Sequence, residues 1–369
     1  MRNSDTIEKI LTREAFFKKK PISVTIELLP LCNMNCDMCY IRLSNQEMKN
    51  EGSLLTLNEW LTIAKQLKDF GVLFLLITGG EPLMYPHFKE LYMELKKLGF
   101  IITLNTNGTL INDHWINFFK KYKPRRINIT LYGSNNETYN KLCHYSDGFT
   151  QTINNITKLI QNNLPLKING SIVKYNMNEL DQLYAICKEY NVPIHVDTYM
   201  IPSLKQSLLK NNIGTRLSPV EMAYTEIKVL QDELSDLDYI TYIKNTVTEL
   251  NKQTTYPNGI SCQAGNTSFA INWKGFMTPC ISMKGIEANL REISLNDAWN
   301  YISTKSKELQ LNGKCSTCKY RVICKTCVAT AYLETNKYDE IPSYLCEYSK
   351  AYAKLLQEEY NRINTTKAP

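Results

Sequence analysis

Leu29-Pro-Leu-Cys32-Asn-Met-Asn-Cys36-Asp-Met-Cys39-Tyr40 places three thiols within eight residues, directly after an apolar, β-branched run at 22–29. Further runs at 73–78, 101–105, 126–131, 166–173 and 193–198 read as strands. Helical periodicity fills the gaps near 57–70, 86–98, 112–121, 149–162 and 178–190, with Pro86, Asn112 and Asn178 as start signals. Strand alternating with helix predicts βα units, a parallel sheet and right-handed crossovers. Six such units predict an α/β fold, a partial (β/α)6 TIM-type barrel over 22–198 that stays open where eight strands would close.

Outward from that core, residues 1–21 are an N-terminal extension. Residues 199–260 form a helical connector, polar with Pro202 and Gly214 up to 217 and then amphipathic over 218–250. Composition changes again at 261–369. That stretch predicts a small cysteine-rich domain, with strands at 268–272 and 276–279 around Gly275 and a helix after Cys346.

The chain has 369 residues, 43% of them hydrophobic, which supports a full core. No run of about 18 apolar residues and no apolar signal-peptide region is present, so the expectation is a soluble, cytoplasmic protein without membrane contact. The net charge of +7 arises from 43 basic residues scattered among 36 acidic ones, without a basic run, and nucleic acid is not an expected partner. The charge suits anionic clusters, an acidic peptide or a reducing protein. Twelve cysteines in a chain without an export signal point to metal ligation, because the cytosol keeps thiols reduced.

The C-x3-C-x2-C loop at Cys32, Cys36 and Cys39 is short enough to wrap three corners of a cubane [4Fe-4S] cluster, and no fourth cysteine is near. One iron is then left without a protein ligand. A zinc site is the alternative, but it wants four ligands and the loop holds no histidine. After the second strand comes Thr78-Gly79-Gly80-Glu81-Pro82, where the two glycines permit close backbone approach. After the third comes Asn105-Thr106-Asn107-Gly108, and after the fourth Thr130-Leu131-Tyr132-Gly133. Ligands of α/β barrels sit at these strand ends. Asn-Gly as a turn former and Thr as a strand former are the plain alternatives. On the sixth strand His195, Asp197 and Tyr199 alternate, either toward the barrel or toward solvent, and the solvent reading suits His195 best.

A second constellation runs Cys262-x12-Gly275-x4-Cys280, Cys315-x2-Cys318-x5-Cys324-x2-Cys327 and a last Cys346. Two C-x2-C pairs also fit a zinc ribbon. Cys187 lies on an apolar helical stripe and reads as a core residue, and Cys143 reads as structural too.

The first constellation resembles the signature of the radical S-adenosylmethionine (SAM) superfamily, and the second resembles the SPASM domain of its peptide and protein maturases. The resemblance covers most of the chain. It implies a [4Fe-4S] cluster on Cys32, Cys36 and Cys39 whose open iron binds SAM. It also implies SAM contacts from Gly79, Gly80 and Glu81 at the methionine end, and from Asn107 and Thr130. The position packing near adenine is commonly aromatic in the family; here it is Met38, with Tyr40 as the substitute. Two auxiliary clusters are implied, an outer one on Cys315, Cys318, Cys324 and Cys346 and an inner one on Cys262, Cys280 and Cys327. The spacing before Cys327 is one residue shorter than the SPASM pattern.

The implied activity is reductive cleavage of SAM to a 5′-deoxyadenosyl radical that abstracts hydrogen from a peptide or protein. A flavodoxin- or ferredoxin-type reductant is an implied partner. The winged-helix recognition arm of many maturases does not fit in the 31 residues before Cys32, so either a separate peptide-recognition protein reads the leader or the substrate is not a leader peptide. Sulfatase-type maturation is disfavoured because Ile281, not Asp, follows Cys280. The alternatives are a SPASM-type decarboxylase or oxidase of a small molecule such as a porphyrin, and a non-catalytic iron-sulfur electron carrier, which would need no Gly79-Gly80-Glu81 motif.

Overall fold

The computed structural model describes residues 3–203 and 214–365. Helix α1 (Asn3–Lys18) precedes strand β1 (Ser23–Glu27), the cysteine loop, α2 (Asn45–Glu51) and α3 (Leu57–Asp69). Then come β2 (Phe74–Thr78), α4 (Phe88–Lys97), β3 (Ile101–Thr106), α5 (Asp113–Lys121), β4 (Arg126–Leu131), α6 (Asn136–Cys143), α7 (Gly148–Gln161), β5 (Leu166–Ser171), α8 (Leu180–Glu189) and β6 (Ile194–Asp197). Helices α9 (Pro219–Glu233) and α10 (Asp236–Leu250) lead to β7 (Ser268–Ile271), β8 (Phe276–Thr278), β9 (Ala288–Asn289), α11 (Leu295–Glu308), α12 (Val328–Thr335) and α13 (Ser343–Thr365).

All six expected barrel strands form and pair in parallel in chain order, and the α/β partial-barrel expectation holds. Asn112 caps α5 by accepting from the Trp115 amide, as its position predicts. Pro86 and Asn178 instead lie two residues before α4 and α8, and neither helix has a side-chain cap. Helices α2 and α6 escaped the periodicity reading: α2 buries no residue, and α6 is only eight residues long.

One pairing is invisible in the sequence. Strand β7 adds in parallel to the free edge of β1, with Ser23 opposite Ser268 and Ile26 opposite Ile271. The antiparallel β8 and β9 extend it, giving one nine-stranded sheet ordered β6-β5-β4-β3-β2-β1-β7-β8-β9. The cysteine-rich region thus shares the barrel's sheet. Along each barrel strand the sides alternate. Val24, Ile26, Leu75, Ile77, Ile102, Leu104, Ile127, Ile129 and Ile168 are buried in the main core. Thr25, Leu76, Asn105, Thr130, Asn169 and Ser171 line a cavity instead.

Two arginines fasten the C-terminal region to the barrel. Arg291 Nε donates to Glu59 Oε1 at 2.6 Å, and its other nitrogens reach the Leu54 and Lys274 carbonyls. That contact holds the Glu59 carboxyl down at about 2. Arg216, within the connector, forks onto Glu334 of α12 at 2.7 and 3.1 Å, stacks 3.8 Å over the Tyr344 ring, and shares Glu334 with the Tyr199 hydroxyl. Both side chains of this pair are less than a tenth exposed. Removing one partner strands a buried charge, so Glu334→Ala is expected to cost about 3–5 kcal/mol in denaturant unfolding. The double replacement Arg216→Met/Glu334→Leu should recover most of that loss.

Candidate functional site

Strand β1 ends at Glu27, and the chain turns at once into the cysteine loop. The loop is docked on the C-terminal end of α6, whose last carbonyls would otherwise lack partners. The Asn35 amide donates to the Cys143 carbonyl and the Asp37 amide to the Leu142 carbonyl, both at 3.0 Å. His144, in the left-handed conformation at φ 51°, ends the helix and sets Nε2 2.7 Å from Asp37 Oδ1. On the other side the Gly80 amide donates to the Leu29 carbonyl and the Glu81 amide to the Leu31 carbonyl, both at 2.8 Å. A Cβ on Gly80 would lie 2.2 Å from the Leu31 carbonyl oxygen, and one on Gly79, at φ +144°, 2.6 Å from the Leu29 oxygen. The double glycine is thus required by backbone contact with the cysteine loop.

The three thiols stay partly buried. Burial pushes Cys32 up to about 12, with smaller contributions from Glu81, Cys36 and Cys39. Cys36 is raised first by a hydrogen bond with Cys143 and then by burial. Cys143, read from sequence as a structural residue, is therefore in contact with the loop's central thiol. Cys187, buried on α8, is the core residue its pattern predicts. Cys32 and Cys36 are thereby held in their protonated forms, and a positive metal centre is what would release those protons. The three thiols line one cavity, as the ligands of a shared cluster must.

That cavity, about 310 Å³, is walled by Cys32, Cys36 and Cys39, by Met38, Tyr40, Gly79, Gly80, Asn107 and Thr130 from the sequence expectations, and by Asn105, Asn169, Ser171, Asp197 and Ile281. Asn107 reaches back to the loop, donating to Asn33 Oδ1 at 2.9 Å and to Cys32 Sγ at 3.6 Å. Glu81 is placed differently. Its carboxylate is fully buried and does not line the cavity. It accepts from the Leu83 amide at 3.1 Å, the Asn107 amide at 2.9 Å and the Thr106 hydroxyl at 2.8 Å, bracing the second strand end against the third. Burial nevertheless raises it to about 7. His195 is exposed, and Tyr199 is turned away to Glu334.

Asn169 and Ser171 carried no motif, and Asp197, left open between barrel and solvent by the alternation on the sixth strand, lines the cavity. Their signal is the two-residue period: Thr130 pairs with Asn169 and Ser171 with Asp197 in register, so all four sit in adjacent rows of one sheet face.

The C-terminal thiols gather in two groups. Cys280, pushed by burial up to about 11, is raised further by Cys327 and Cys262. Cys346, raised by burial, also feels Cys324, Cys315 and Cys318.

Residues 26–187 match the sequence profile described as "Radical SAM superfamily". Residues 26–187 are thus a radical SAM domain. Such domains bind a [4Fe-4S] cluster and SAM, which the thiols and cavity described above fit. The AdoMet-dependent heme synthase of Methanosarcina barkeri is 24% identical over 349 residues, covering 89% of this chain and 97% of that protein. The sporulation killing factor maturation protein SkfB of Bacillus subtilis is 23% identical, covering 81% and 68%. Streptococcus suis SuiB bound to the precursor peptide SuiA superposes with a TM-score of 0.67 at 20% identity, over 94% of this chain and 81% of that one, a likeness of fold.

In this radical SAM domain Gly80→Ala must push the cysteine loop outward, with an expected loss of about 1–3 kcal/mol in unfolding and of iron retained after anaerobic reconstitution. A pH effect follows from Glu27, which is 5% exposed and which burial raises from 4.5 to about 7. The folded state favours its protonated form, so that stability is complete below pH 4.5 and is lost as pH rises through 7. The melting temperature of the cluster-free protein should fall over this range, and Glu27→Gln should reduce the fall.

Proposed function

We propose that this chain uses a cluster on Cys32, Cys36 and Cys39 to cleave SAM, and that its substrate is a peptide or protein modified after translation. The observation that carries the reading is the single cavity onto which the three thiols, the Gly79-Gly80 turn, Asn107 and Thr130 all open. A cluster and SAM bound there supply, on one-electron reduction, a 5′-deoxyadenosyl radical able to take hydrogen from an unactivated carbon. The chain's own residues bind and orient. Gly79 and Gly80 let the methionine end approach backbone, Asn107 and Thr130 offer polar contacts, and Met38 with Tyr40 forms the adenine side. Glu81, enclosed by three donors, supports the reading as a brace for Asn107.

The C-terminal thiols support two auxiliary clusters of SPASM type, outer on Cys315, Cys318, Cys324 and Cys346 and inner on Cys262, Cys280 and Cys327. The names of SkfB, a maturation protein, and of SuiB, seen with a precursor peptide, favour a peptide substrate. The heme synthase, aligned over 97% of its length, favours a second reading in which the substrate is a porphyrin-like small molecule. In this proposal residues 22–198 form the radical domain, 199–260 connect, and 261–369 hold the auxiliary clusters.

Anaerobic reconstitution is expected to yield about twelve irons and twelve sulfides per chain. Replacing Cys32, Cys36 and Cys39 together by Ala should abolish 5′-deoxyadenosine formation under dithionite and leave about eight irons. Iron near four per chain, with zinc making up the remainder, would refute the auxiliary clusters. SAM cleavage by the triple variant would refute the radical site. Mass spectrometry of a co-expressed candidate peptide decides between peptide and porphyrin, with Cys280→Ala expected to lose product while the domain keeps its circular dichroism.

A further inference from the structure

A second cavity of about 390 Å³ lies against the first, between the end of β1, the cysteine loop and the hairpin of β7 and β8. Tyr40, Ile41 and Ile281 line both cavities, so the two share a wall. Trp273, Met283 and Tyr332 give the second cavity an apolar side, and its charges are Glu27, Glu51, Glu287, Lys274 and Lys284.

These charges are not equivalent. Lys274 lies 3.9 Å from Glu51, and the field of Glu51 and Glu287 acts on Lys284. Glu27 is different: it is 5% exposed, and its one side-chain hydrogen bond among the described residues is from the Tyr40 hydroxyl at 3.2 Å. No ion pair involves it among the described residues. A buried carboxylate with one neutral donor is an acceptor with unused capacity. Burial raises it to about 7, and the Tyr40 hydrogen bond offsets that only in part. Tertiary structure alone creates the site, since β7 closes over β1 and the C-terminal hairpin supplies the far wall.

We propose that this second cavity is the substrate subsite, and that the Glu27 carboxylate accepts a hydrogen bond there from an N–H or O–H donor on the substrate side chain. Tyr40 then stands between the SAM cavity and the substrate, holding one carboxylate oxygen while the substrate takes the other. Ile281, which follows Cys280, offers no polar group at the shared wall, so Glu27 is the acidic group next to Tyr40. The inference rests on the peptide reading and adds the side-chain chemistry that the site selects.

The test uses the reconstituted enzyme with SAM and three probes of similar size: N-acetyl-L-lysinamide, N-acetyl-L-serinamide and N-acetyl-L-norleucinamide, read by ligand-observed NMR. The lysine and serine probes are expected to bind at least about threefold tighter than norleucinamide, as one hydrogen bond implies. Glu27→Gln keeps a carbonyl acceptor, so serinamide should change less than about twofold; a charged donor should weaken about tenfold. Glu27→Ala should remove the preference for both. Equal binding of norleucinamide, or an unchanged preference in Glu27→Ala, would overturn the proposal. So would tighter binding of glutarate than of any donor probe, which would mark Lys274 and Lys284 as an anion site. Should the Glu27 variants fail to fold by melting temperature and iron content, Lys284→Met decides: lysinamide must bind more tightly once the neighbouring cation is gone, and no change overturns the assignment. Wild-type 5′-deoxyadenosine formation in the same samples separates the two claims. If it is intact without a donor preference, only this inference fails; if it is absent, the proposed radical function fails.

Discussion

Everything in this molecule depends on β1 being an interior strand. Hydrogen-bonded in parallel to β2 on one side and to β7 on the other, it cannot move without breaking two ladders. The chain leaves it directly into the cysteine loop, which therefore starts from a fixed point. The loop's own backbone is held on two further sides, by the α6 carbonyls and by the Gly80 and Glu81 amides. Three thiols in eight residues would otherwise be a flexible segment with a large ordering entropy. Here those contacts order the loop's backbone.

The electrostatics of the site follow from the same enclosure. Glu27 and Glu81 end β1 and follow β2, both buried and both raised to about 7, yet their surroundings separate their roles. Glu81 has three donors and braces Asn107 behind the cavity wall, whereas Glu27 has one donor and faces open space. Cys32 is raised by the same burial, and Cys36 by its hydrogen bond with Cys143 and then by burial. Binding a positive cluster would exchange protons for metal and draw the loop tighter.

The C-terminal region is fastened to the barrel by contacts of different kinds. The β1–β7 ladder sets its orientation, Arg291 ties β9's turn to the cap of α3, and the buried Arg216–Glu334 pair fixes α12 to the segment that follows β6. Helix α13 then returns along α9, with the Tyr344 hydroxyl on the Leu217 carbonyl. Multiple attachments of this sort hold a small domain with little apolar core of its own, whose separate cluster of buried residues comprises only Met283, Leu311, Val328, Ala329 and Ala331.

The sequence by itself determined the six parallel strands, the helices whose apolar faces repeat between them and the positions of the thiols. These depend on local periodicity and spacing, and a cysteine keeps its place in the chain whatever the packing. It also marked Gly79 and Gly80, because a backbone approach within 3 Å excludes any side chain. It left open which polar residues share a wall. Asn169, Ser171 and Asp197 meet Thr130 only through inter-strand register, and register is set by packing of both faces. It was silent on the pairing of β7 with β1, a contact about 240 residues distant in the chain, which no local pattern encodes. It gave no sign that Glu81 turns inward while Glu27 faces a cavity. That difference is decided by which groups the fold delivers to each carboxylate, three donors in one case and a hairpin from the far end of the chain in the other.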